Sequence, residues 1–434
     1  MNSIPLTIDQ DAAPESPRSG LYRFLVLKAL RHLKKARLQM ELPDGEKMEF
    51  GDGSPGPQAT IRVRNEDFFQ KCALYSGVGL GEAYVEGDWE TDDIRAVIEW
   101  FIVNVAADAK MKGSSRRLPA VGLLQFINRL GHFLRPNSVR TSRRNIAEHY
   151  DLGNDFYKLW LDPTMTYSAA RFTSPEQTLE EAQLSKYQAL CDKLRLTAAD
   201  HVLEIGCGWG GFSIYAAAHH GCKVTAVTIS QAQHDEAVTR VRAAGLEDRI
   251  EIRLQDYRHI KGQFDKIASI EMLEAVGDKY LETYFAKCTE VLKPGGLLAF
   301  QAITVPDHSY NDLKRGVDWI QKHIFPGSLL LSVTRVNQAI QRVGDLFLHG
   351  MEDLGSGYAR TLREWHVSFN ARLPEVRALG YSEAFIRKWN YYLKYCEAAF
   401  ATRNISVVQA VYTTPANSAL HREDGVHHSP APLP

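Results

Sequence analysis

Long apolar runs are missing from the 434-residue sequence: no stretch reaches the roughly 18 residues that a membrane-spanning helix needs. We therefore expect a chain that does not cross a bilayer. The first 20 residues lack the basic start and apolar core of a secretory signal peptide, and the six cysteines show neither metal-site nor disulfide-framework spacing. These absences predict reduced thiols, no bound metal and a cytoplasmic location.

Charge is unevenly distributed along the chain: two segments are strongly basic, and the remainder has 35 Lys/Arg against 52 Asp/Glu. The net charge is −1, yet residues 18–37 contain seven Lys/Arg and residues 109–144 contain nine, with no acidic residue in either segment. Both segments also carry large apolar residues at helical spacing, which favours an anionic membrane surface over nucleic acid. We expect peripheral membrane association, and two such helices would suit a homodimer. The alternative is that both helices pack on the body with their charges in solvent.

Glycine is concentrated between two predicted strands, residues 202–205 and 223–228, in a turn that leads into a helix. Gly206, Gly208 and Gly210 let the backbone turn sharply and let a ligand lie against bare peptide groups. A Gly-x-Gly pattern by itself would suggest a dinucleotide. Glu204 would repel a pyrophosphate but suits an ammonium group and hydroxyls, so the turn indicates S-adenosylmethionine.

The remaining pattern divides the chain into five parts. Strands alternate with helices over 145–414, which predicts a doubly wound α/β sheet with ligand at the carboxyl ends of its strands. Within it, residues 306–331 form an insertion that we interpret as a lid, and helices are predicted over 358–379 and 383–401. The other parts are a disordered start (1–18), a small α+β domain (19–108), the basic linker (109–144) and a flexible tail (415–434).

Seven motifs are specific when they are taken together. They are HYDLGNDFY, LDPTMTYSAARF, EIGCGWGG, TISQAQ, QDYR, EMLEAVG and KYCEAAF. Their order resembles that of the cyclopropane-fatty-acyl-phospholipid synthases and their relatives, the mycolic acid and fatty acid C-methyltransferases. The resemblance implies the seven-stranded, Rossmann-like fold of class I S-adenosylmethionine-dependent methyltransferases, with an antiparallel last strand. It also implies methyl transfer to the double bond of an unsaturated acyl chain of a membrane phospholipid.

The resemblance extends to individual positions of the cofactor site. Thr228 and Gln233 are assigned to the ribose, and Asp256 and Tyr257 to the adenine. The complete predicted cofactor set is Tyr167, Ser168, Glu204, Gly206, Cys207, Gly208, Gly210, Thr228, Gln233, Asp256 and Tyr257. For both tyrosines the alternative interpretation is ordinary core packing.

The expected chemistry starts from an alkene, which is a poor nucleophile, so the site must rely on proximity and exclusion of water. Aromatic faces would stabilise the resulting carbocation, and the candidates are Tyr150, Trp160, Phe172 and Tyr358. To close a ring, a base must then remove a proton. The resemblance implies a bound bicarbonate as that base, with ligands at Glu274, the backbone of Ile303 and Tyr358.

Three positions depart from the family pattern. A family cysteine is replaced by Ala169, and two histidines by Gln301 and Ala275. Glutamine still bonds an anion, whereas Ala169 removes a polar contact. We therefore expect Glu274 to be essential, as base or as holder of the base, while the product is either a ring or a methyl or methylene branch.

Two residues near these motifs receive weaker assignments. Cys396 matches a family cysteine with a suggested nucleophilic role, but methylation of an alkene needs no enzyme nucleophile, and core packing is the alternative. Glu271 is predicted to be a solvated or helix-capping carboxylate.

Two other function classes stay open at this point. A nucleic-acid methyltransferase would use the basic segments for phosphate contacts, but no N-P-P-Y loop or RNA-binding module is found. A protein that binds S-adenosylmethionine without catalysis would fit Ala169 and Ala275.

Overall fold

The computed structural model describes residues 17–107, 152–415, 417 and 420. These residues divide between two compact units, Met1–Ala109 and Lys110–Pro434. The predictions for the first 16 residues, for the basic linker 109–144, for Tyr150 and for most of the tail lie outside the described residues. In the parts of the chain that are described, no helix combines the length and the apolar character needed to cross a membrane.

The first unit is a small α+β fold. Its elements are α1 (Pro17–Leu30), β1 (Arg37–Glu41), β2 (Lys47–Phe50), β3 (Gln58–Val63), α2 (Asp67–Tyr75), α3 (Gly77–Glu86), β4 (Trp89–Glu90) and α4 (Ile94–Ala107). The strands form a sheet in the order β2-β1-β3-β4, in which β1 and β3 are parallel. Alternate residues of β3 point inward, so Ile61 and Val63 are buried with Phe69 and Trp89.

The second unit is built on a seven-stranded sheet. Its strands are β5 (His201–Ile205), β6 (Lys223–Thr228), β7 (Ile250–Leu254), β8 (Phe264–Ile270), β9 (Leu292–Thr304), β10 (Phe347–Asp353) and β11 (Ser406–Thr413). They follow the order β10-β11-β9-β8-β5-β6-β7, and β11 runs antiparallel to both of its neighbours. The predicted doubly wound sheet with an antiparallel last strand is therefore confirmed.

Helices cover both faces of this sheet. They are α5 (Asn154–Lys158), α6 (Leu179–Leu194), α7 (Gly211–His220), α8 (Gln231–Ala243), α9 (Leu281–Val291), α10 (Asp307–Arg315), α11 (Trp319–His323), α12 (Val333–Val343), α13 (Gly355–Ala371), α14 (Leu373–Ala378) and α15 (Glu383–Ala401). The single helix predicted over 358–379 is wrong, because two helices occupy this range. The first helix ends before Arg372, and Pro374 lies in the first turn of the second helix. Proline suits a first turn, since it has no N–H to donate.

Strand register sets the positions of polar residues inside the sheet. On β9, Gln301 lies opposite Gln409 of β11 and beside Ile270 of β8. Ile270 is the last residue of β8, so the chain enters the loop after β8 directly beside Gln301. The two glutamines have no measurable exposure, and neighbouring core positions are apolar. A buried polar pair of this kind needs partners within the fold.

Candidate active site

A cavity of about 490 Å³ lies at the carboxyl ends of the parallel strands. Residues at or just after the ends of β5, β6, β7, β8 and β9 line it, as expected for an open α/β sheet. The members of the predicted cofactor set that line it are Tyr167, Ser168, Glu204, Gly206, Cys207, Gly208, Thr228, Gln233, Asp256 and Tyr257. The same cavity has an apolar wall, which includes Val305, Leu313, Ile320, Phe325, Leu330, Leu362 and Phe400.

The insertion 306–331 supplies part of that apolar wall. Its helices α10 and α11 contribute Leu313 and Ile320, and the segment that follows them contributes Phe325 and Leu330. Asp318 caps α11 by accepting from the backbone N–H of Gln321 at 2.7 Å. The insertion therefore lines one side of the cavity, and its action as a lid stays a prediction.

The glycine turn after β5 has the backbone that its glycines predict. Gly206, Gly208 and Gly210 all adopt positive φ, at 83°, 53° and 82°. A Cβ atom added to Gly208 would have no atom of the described residues within 4 Å apart from its own chain neighbours, so this residue exposes its backbone to the cavity. Gly210 is not among the residues that line the cavity, and it serves as the N-cap of α7. Its assignment to the cofactor stays a prediction, while its observed role is to start the helix.

Glu204 and Ser168 form a polar edge of the cavity. The Ser213 hydroxyl donates to the carboxyl group of buried Glu204, and burial raises the pKa of that carboxyl to about 7. Lys186 is fully buried on α6 and donates from Nζ to Ser168 Oγ at 2.7 Å. Burial lowers the pKa of the Lys186 ammonium to about 7, against the opposing pull of Glu271 and Glu204.

Lys186 is a residue that the sequence interpretation missed. The available signal was its place on α6, where it follows buried Ala182 and Gln183 and precedes buried Tyr187 and Leu190. A lysine on the buried face of an amphipathic helix must find a hydrogen-bond acceptor or an anion. Its anionic neighbours come from strand ends that are distant in the sequence.

The residues assigned to ribose and adenine have partners of their own. Thr228 donates from Oγ1 to Gln233 Oε1 at 2.9 Å, which orders the loop after β6. Both carboxylate oxygens of Asp256 accept from the Arg258 guanidinium, at 2.8 and 2.7 Å. Burial raises the pKa of the neighbouring Tyr257 hydroxyl to about 12. These four residues thus form an ordered, partly charged wall of the cavity.

Glu274 lies in the loop after β8 and faces the cavity. Its Oε1 atom accepts from the backbone N–H of Ile303, whereas its Oε2 atom is buried and has no hydrogen-bond partner among the described residues. Burial, reinforced by the negative charge of Glu271, raises the pKa of this carboxyl to about 8. A carboxyl group with one unpartnered oxygen and a raised pKa is poised to exchange a proton.

The prediction that Glu271 is a solvated or helix-capping carboxylate is wrong. Its Oε1 atom accepts from the backbone N–H of Ala169 at 2.8 Å and from Gln301 Nε2 at 2.7 Å. Its Oε2 atom accepts from the Tyr358 hydroxyl at 2.8 Å. Glu271 also lines the cavity, so a second carboxylate stands beside Glu274. Glu271 and Ala169 are 102 residues apart, so local sequence spacing could not predict this hydrogen bond.

The predicted bicarbonate ligands are therefore already engaged by the protein. Tyr358 and Gln301 donate to Glu271, and the backbone of Ile303 donates to Glu274. Ala169 lacks a polar side chain, yet its backbone N–H joins the same group of donors. The hydrogen bonds that an added bicarbonate would need are made to carboxylates of the chain itself, so the donor set does not fit this anion.

Aromatic side chains are dense around the cavity, but not all of the carbocation candidates reach it. Tyr358 lines the cavity, and so does Tyr167, whose hydroxyl is 2.6 Å from that of Tyr392. Trp160 is buried and does not line the cavity; Phe172 does not line it either and lies under the Arg360 guanidinium, 4.0 Å from its ring centroid. Their role at the reaction centre stays a prediction, and their observed contacts are packing contacts.

Cys396 lines the cavity on α15, directly after Tyr395. Burial raises the pKa of its thiol far above the ordinary value, and the nearby Asp318 carboxylate adds to this effect. Only a thiolate is an effective nucleophile. The thiol is thus held in its unreactive form, which favours the packing interpretation.

Comparison with known proteins places the chain in a family. A family model described as mycolic acid cyclopropane synthetase matches residues 137–410. The tuberculostearic acid methyltransferase UfaA1 of Mycobacterium tuberculosis is 35% identical over 429 residues, covering 93% of this chain and 95% of the relative. The cyclopropane-fatty-acyl-phospholipid synthase of Escherichia coli is 37% identical over 365 residues, covering 83% of this chain and 90% of the relative.

Solved structures agree with the sequence comparison. The cyclopropane synthase MmaA2 from Mycobacterium tuberculosis aligns with a TM-score of 0.58 at 29% identity, over 62% of this chain and 97% of that structure. The mycolic acid cyclopropane synthase CmaA1, complexed with SAH and CTAB, aligns with the same TM-score at 27% identity, over 62% and 97% of the two chains. Together with the motifs and the fold, these matches show that the chain belongs to the family of mycolic acid cyclopropane synthetases and fatty acid methyltransferases.

Proposed function

We propose that this protein uses S-adenosylmethionine to add a one-carbon group to the double bond of unsaturated acyl chains in membrane phospholipids. The observation that carries the proposal is a single cavity that joins a glycine turn, an apolar wall and the unpartnered carboxyl oxygen of Glu274. The names of the relatives, which include a phospholipid synthase and a fatty acid methyltransferase, support the same substrate class.

The polar residues of the cavity suit the cofactor. Glu204 and Gly208 both line the cavity. The carboxyl group of Glu204 would attract an ammonium or sulfonium group, and Gly208 leaves room for the ligand because it has no side chain. Thr228 and Gln233 offer hydroxyl and amide groups for a ribose, and Tyr257 offers an aromatic face for adenine. When bound, S-adenosylmethionine supplies an electrophilic methyl group.

The apolar wall suits a lipid tail and excludes water. An alkene that gains a methyl group is left with positive charge on the adjacent carbon, and water would quench that charge. The lid residues Leu313, Ile320 and Phe325 close the apolar side, and Tyr358 presents an aromatic group near the two carboxyl groups. Neutrality returns when one proton leaves the acyl chain for a base.

Glu274 is the residue that we assign as this base. Within the described part of the chain its Oε2 atom has no hydrogen-bond partner, and burial makes the carboxylate a stronger base than one in water. The backbone N–H of Ile303 holds the other oxygen, which fixes the direction of the carboxyl group. Direct proton loss from the transferred methyl group closes a ring. Proton loss from that methyl group after a 1,2-hydride shift leaves a methylene branch, whereas proton loss from a chain carbon leaves a methyl branch beside a chain double bond.

Purified protein tests the proposal directly. The full chain is incubated with isotopically labelled S-adenosylmethionine and vesicles of unsaturated phospholipid, and the fatty acid methyl esters are analysed by mass spectrometry. We expect labelled acyl chains that are one carbon heavier. Label transfer to RNA, with none to lipid, would instead support a nucleic-acid methyltransferase, and binding of the cofactor without any transfer would support a non-catalytic protein.

The same spectra identify the product. A ring is favoured by the synthase relatives, whereas a methyl or methylene branch is favoured by the similarity to the tuberculostearic acid methyltransferase over 93% of this chain. Ala169 and Gln301, where the family pattern has cysteine and histidine, also mark a site that differs from the ring-forming pattern. A pure cyclopropane product would reject the branch.

The pH dependence of turnover follows from the raised pKa of Glu274, which is about 8. The base must be ionised to accept a proton, so turnover should rise about tenfold per pH unit below this value and level off above it. The measurement is the turnover number at saturating substrates across the neutral and mildly alkaline range. A profile that is flat through that range would contradict Glu274 as the titrating base.

Helix α1 supports a further part of the proposal, which is docking on an anionic membrane. Leu21 and Phe24 are 55% and 58% exposed, and Leu25 lies beside them on the same face. Lys28 lies one turn after Phe24, with Nζ 5.7 Å from the ring centroid. Exposed apolar side chains next to a basic one suit contact with an anionic membrane surface. Arg23 differs from this pattern, since it bonds Asp44 at 2.6 Å.

Substitution on this face should weaken binding to vesicles. Replacing Phe24 with aspartate removes about 2 kcal/mol of apolar burial and adds repulsion from anionic lipid, so affinity should fall at least about tenfold. Co-sedimentation with phosphatidylglycerol vesicles measures this change. The matched control is Val367→Asp, because Val367 is similarly exposed, at 60%, on helix α13. Equal binding of the Phe24 variant and the wild type would remove α1 from the membrane contact.

A further inference from the structure

Glu271 is held in a conformation that aims its carboxylate into the active site. It directly follows β8 with a φ of +48°, in the left-handed region that side-chain-bearing residues rarely adopt. Its own N–H donates to the backbone carbonyl of Gln301 at 2.7 Å, which ties the strained residue to β9. Strain of this kind persists where the surrounding structure enforces it, and it commonly marks functional positions.

Three donors converge on the Glu271 carboxylate from three parts of the fold. They are the Ala169 N–H from the loop before α6, the Gln301 amide from β9 and the Tyr358 hydroxyl from α13. The Lys186 ammonium adds a favourable charge, although burial raises the pKa of Glu271. Donors that face a carboxylate at 2.7–2.8 Å stabilise its ionised form.

The Gln301 donor belongs to a longer chain that crosses the sheet. Gln301 Oε1 accepts from Gln409 Nε2 at 3.1 Å, and Gln409 Oε1 accepts from Lys193 Nζ at 2.6 Å. Both amides therefore point their N–H groups toward Glu271 and their oxygens toward the lysine. Because all of these hydrogen bonds point the same way, the charge of Lys193 polarises each bond in turn as far as the Glu271 carboxylate. This arrangement is built from the β9–β11 register.

We propose that Glu271 is a built-in anion that occupies the place of a bound bicarbonate, so that this protein works without bicarbonate. Two of the three donors, Gln301 and Tyr358, stand at positions where the resemblance implies ligands of such an anion, and all three converge on a carboxylate that the chain itself supplies. The inference rests on the proposed function, because it assigns the fixed negative charge of that reaction. Glu271 stabilises positive charge on the acyl chain and, through its own charge, keeps Glu274 a strong base.

Bicarbonate binding and bicarbonate dependence test the proposal in the full-length protein. Wild type should bind no [14C]bicarbonate in equilibrium dialysis, and its turnover should be the same in carbon dioxide-free buffer with and without added bicarbonate. One equivalent of bound bicarbonate, or loss of turnover on its removal, would overturn the proposal.

Two variants at this position separate the anion from the side chain. Glu271→Gly suits the positive φ and leaves the three donors facing an empty space, so turnover should fall about 10²-fold and be raised about tenfold by formate or bicarbonate. It should also bind about one equivalent of [14C]bicarbonate, because one anion fits one set of donors. Glu271→Gln is the matched control: its amide fills the space, so it should lose turnover without rescue or binding.

The outcomes distinguish this inference from the proposed function. Product formation by wild type, with or without bicarbonate, tests the function alone. If product forms only with bicarbonate, the function stands and the inference fails. The inference also fails if Glu271→Gly keeps full turnover. It fails as well if this variant still binds S-adenosylhomocysteine but neither binds small anions nor gains turnover from them.

Discussion

Glu274→Gln should lower the turnover number by about 10³-fold while leaving the affinity for S-adenosylhomocysteine unchanged, as expected for loss of a general base. Glutamine has nearly the shape of glutamate, so the Ile303 N–H keeps an acceptor and the loop after β8 keeps its position. The amide cannot accept the proton that leaves the acyl chain. Turnover under single-round conditions and calorimetric titration with S-adenosylhomocysteine measure the two quantities separately.

The control for this variant is another glutamate of the same unit that lies away from the cavity. Glu282 is on α9, where its carboxylate accepts from Arg342 at 3.0 Å, and it does not line the cavity. Glu282→Gln should therefore keep wild-type turnover. A Glu274→Gln protein that retains more than about a tenth of the turnover would exclude this residue as the base. Loss of S-adenosylhomocysteine affinity together with turnover would indicate a damaged cofactor site instead.

Local sequence patterns predicted the architecture well because they follow from short-range chemistry. The turn around Gly206 and Gly208, the alternation of strands and helices, and the motif order indicated the sheet and the family, and both are confirmed. The positions of Glu204 and Thr228 at strand ends, and of Gln233 in the first turn of the helix after β6, also follow from the topology, since parallel strands present their carboxyl ends at one edge. Whether these side chains bind the cofactor remains a prediction.

The polar network could not be predicted because its contacts join distant segments. Glu271 meets Ala169 across 102 residues and Tyr358 across 87, and Gln301 meets Gln409 across 108. None of these residues has an unusual local pattern. Burial of Lys186 was detectable from helix periodicity, but its acceptor, Ser168, was not. The sequence therefore predicted the correct loop after β8, but it predicted the wrong role for Glu271, the first carboxylate of that loop.

The two carboxyl groups have different environments, and this difference separates their roles. Glu271 receives three hydrogen bonds and the field of Lys186, which favour its ionised form. Glu274 receives a single backbone hydrogen bond and the repulsion of Glu271, so its pKa rises to about 8. Paired acids whose surroundings differ in this way commonly divide into a fixed charge and a proton carrier. The cavity thus contains a carboxylate that stays ionised, Glu271, and a carboxylate that accepts and releases a proton, Glu274.

Gly208→Val should weaken the binding of S-adenosylhomocysteine about 10- to 100-fold. The added methyl groups would project from the floor of the cavity, where a Cβ atom on residue 208 has no other atom within 4 Å, and so would occupy ligand space. Overpacking of this size costs about 1–3 kcal/mol, and each 1.4 kcal/mol corresponds to about tenfold in affinity. Gly208→Ala should show a smaller loss in the same calorimetric titration.

Gly210→Ala is the matched control for Gly208→Ala, because both glycines have positive φ and an alanine at either position carries similar backbone strain of about 1 kcal/mol. Gly210 does not line the cavity, and its added Cβ would lie 3.4 Å from the Cβ of Ala237, in ordinary contact. The control should therefore lose thermal stability but keep its affinity. Equal affinities for Gly208→Val and wild type would mean that the ligand does not lie against this turn, and the cofactor assignment would then fail with it.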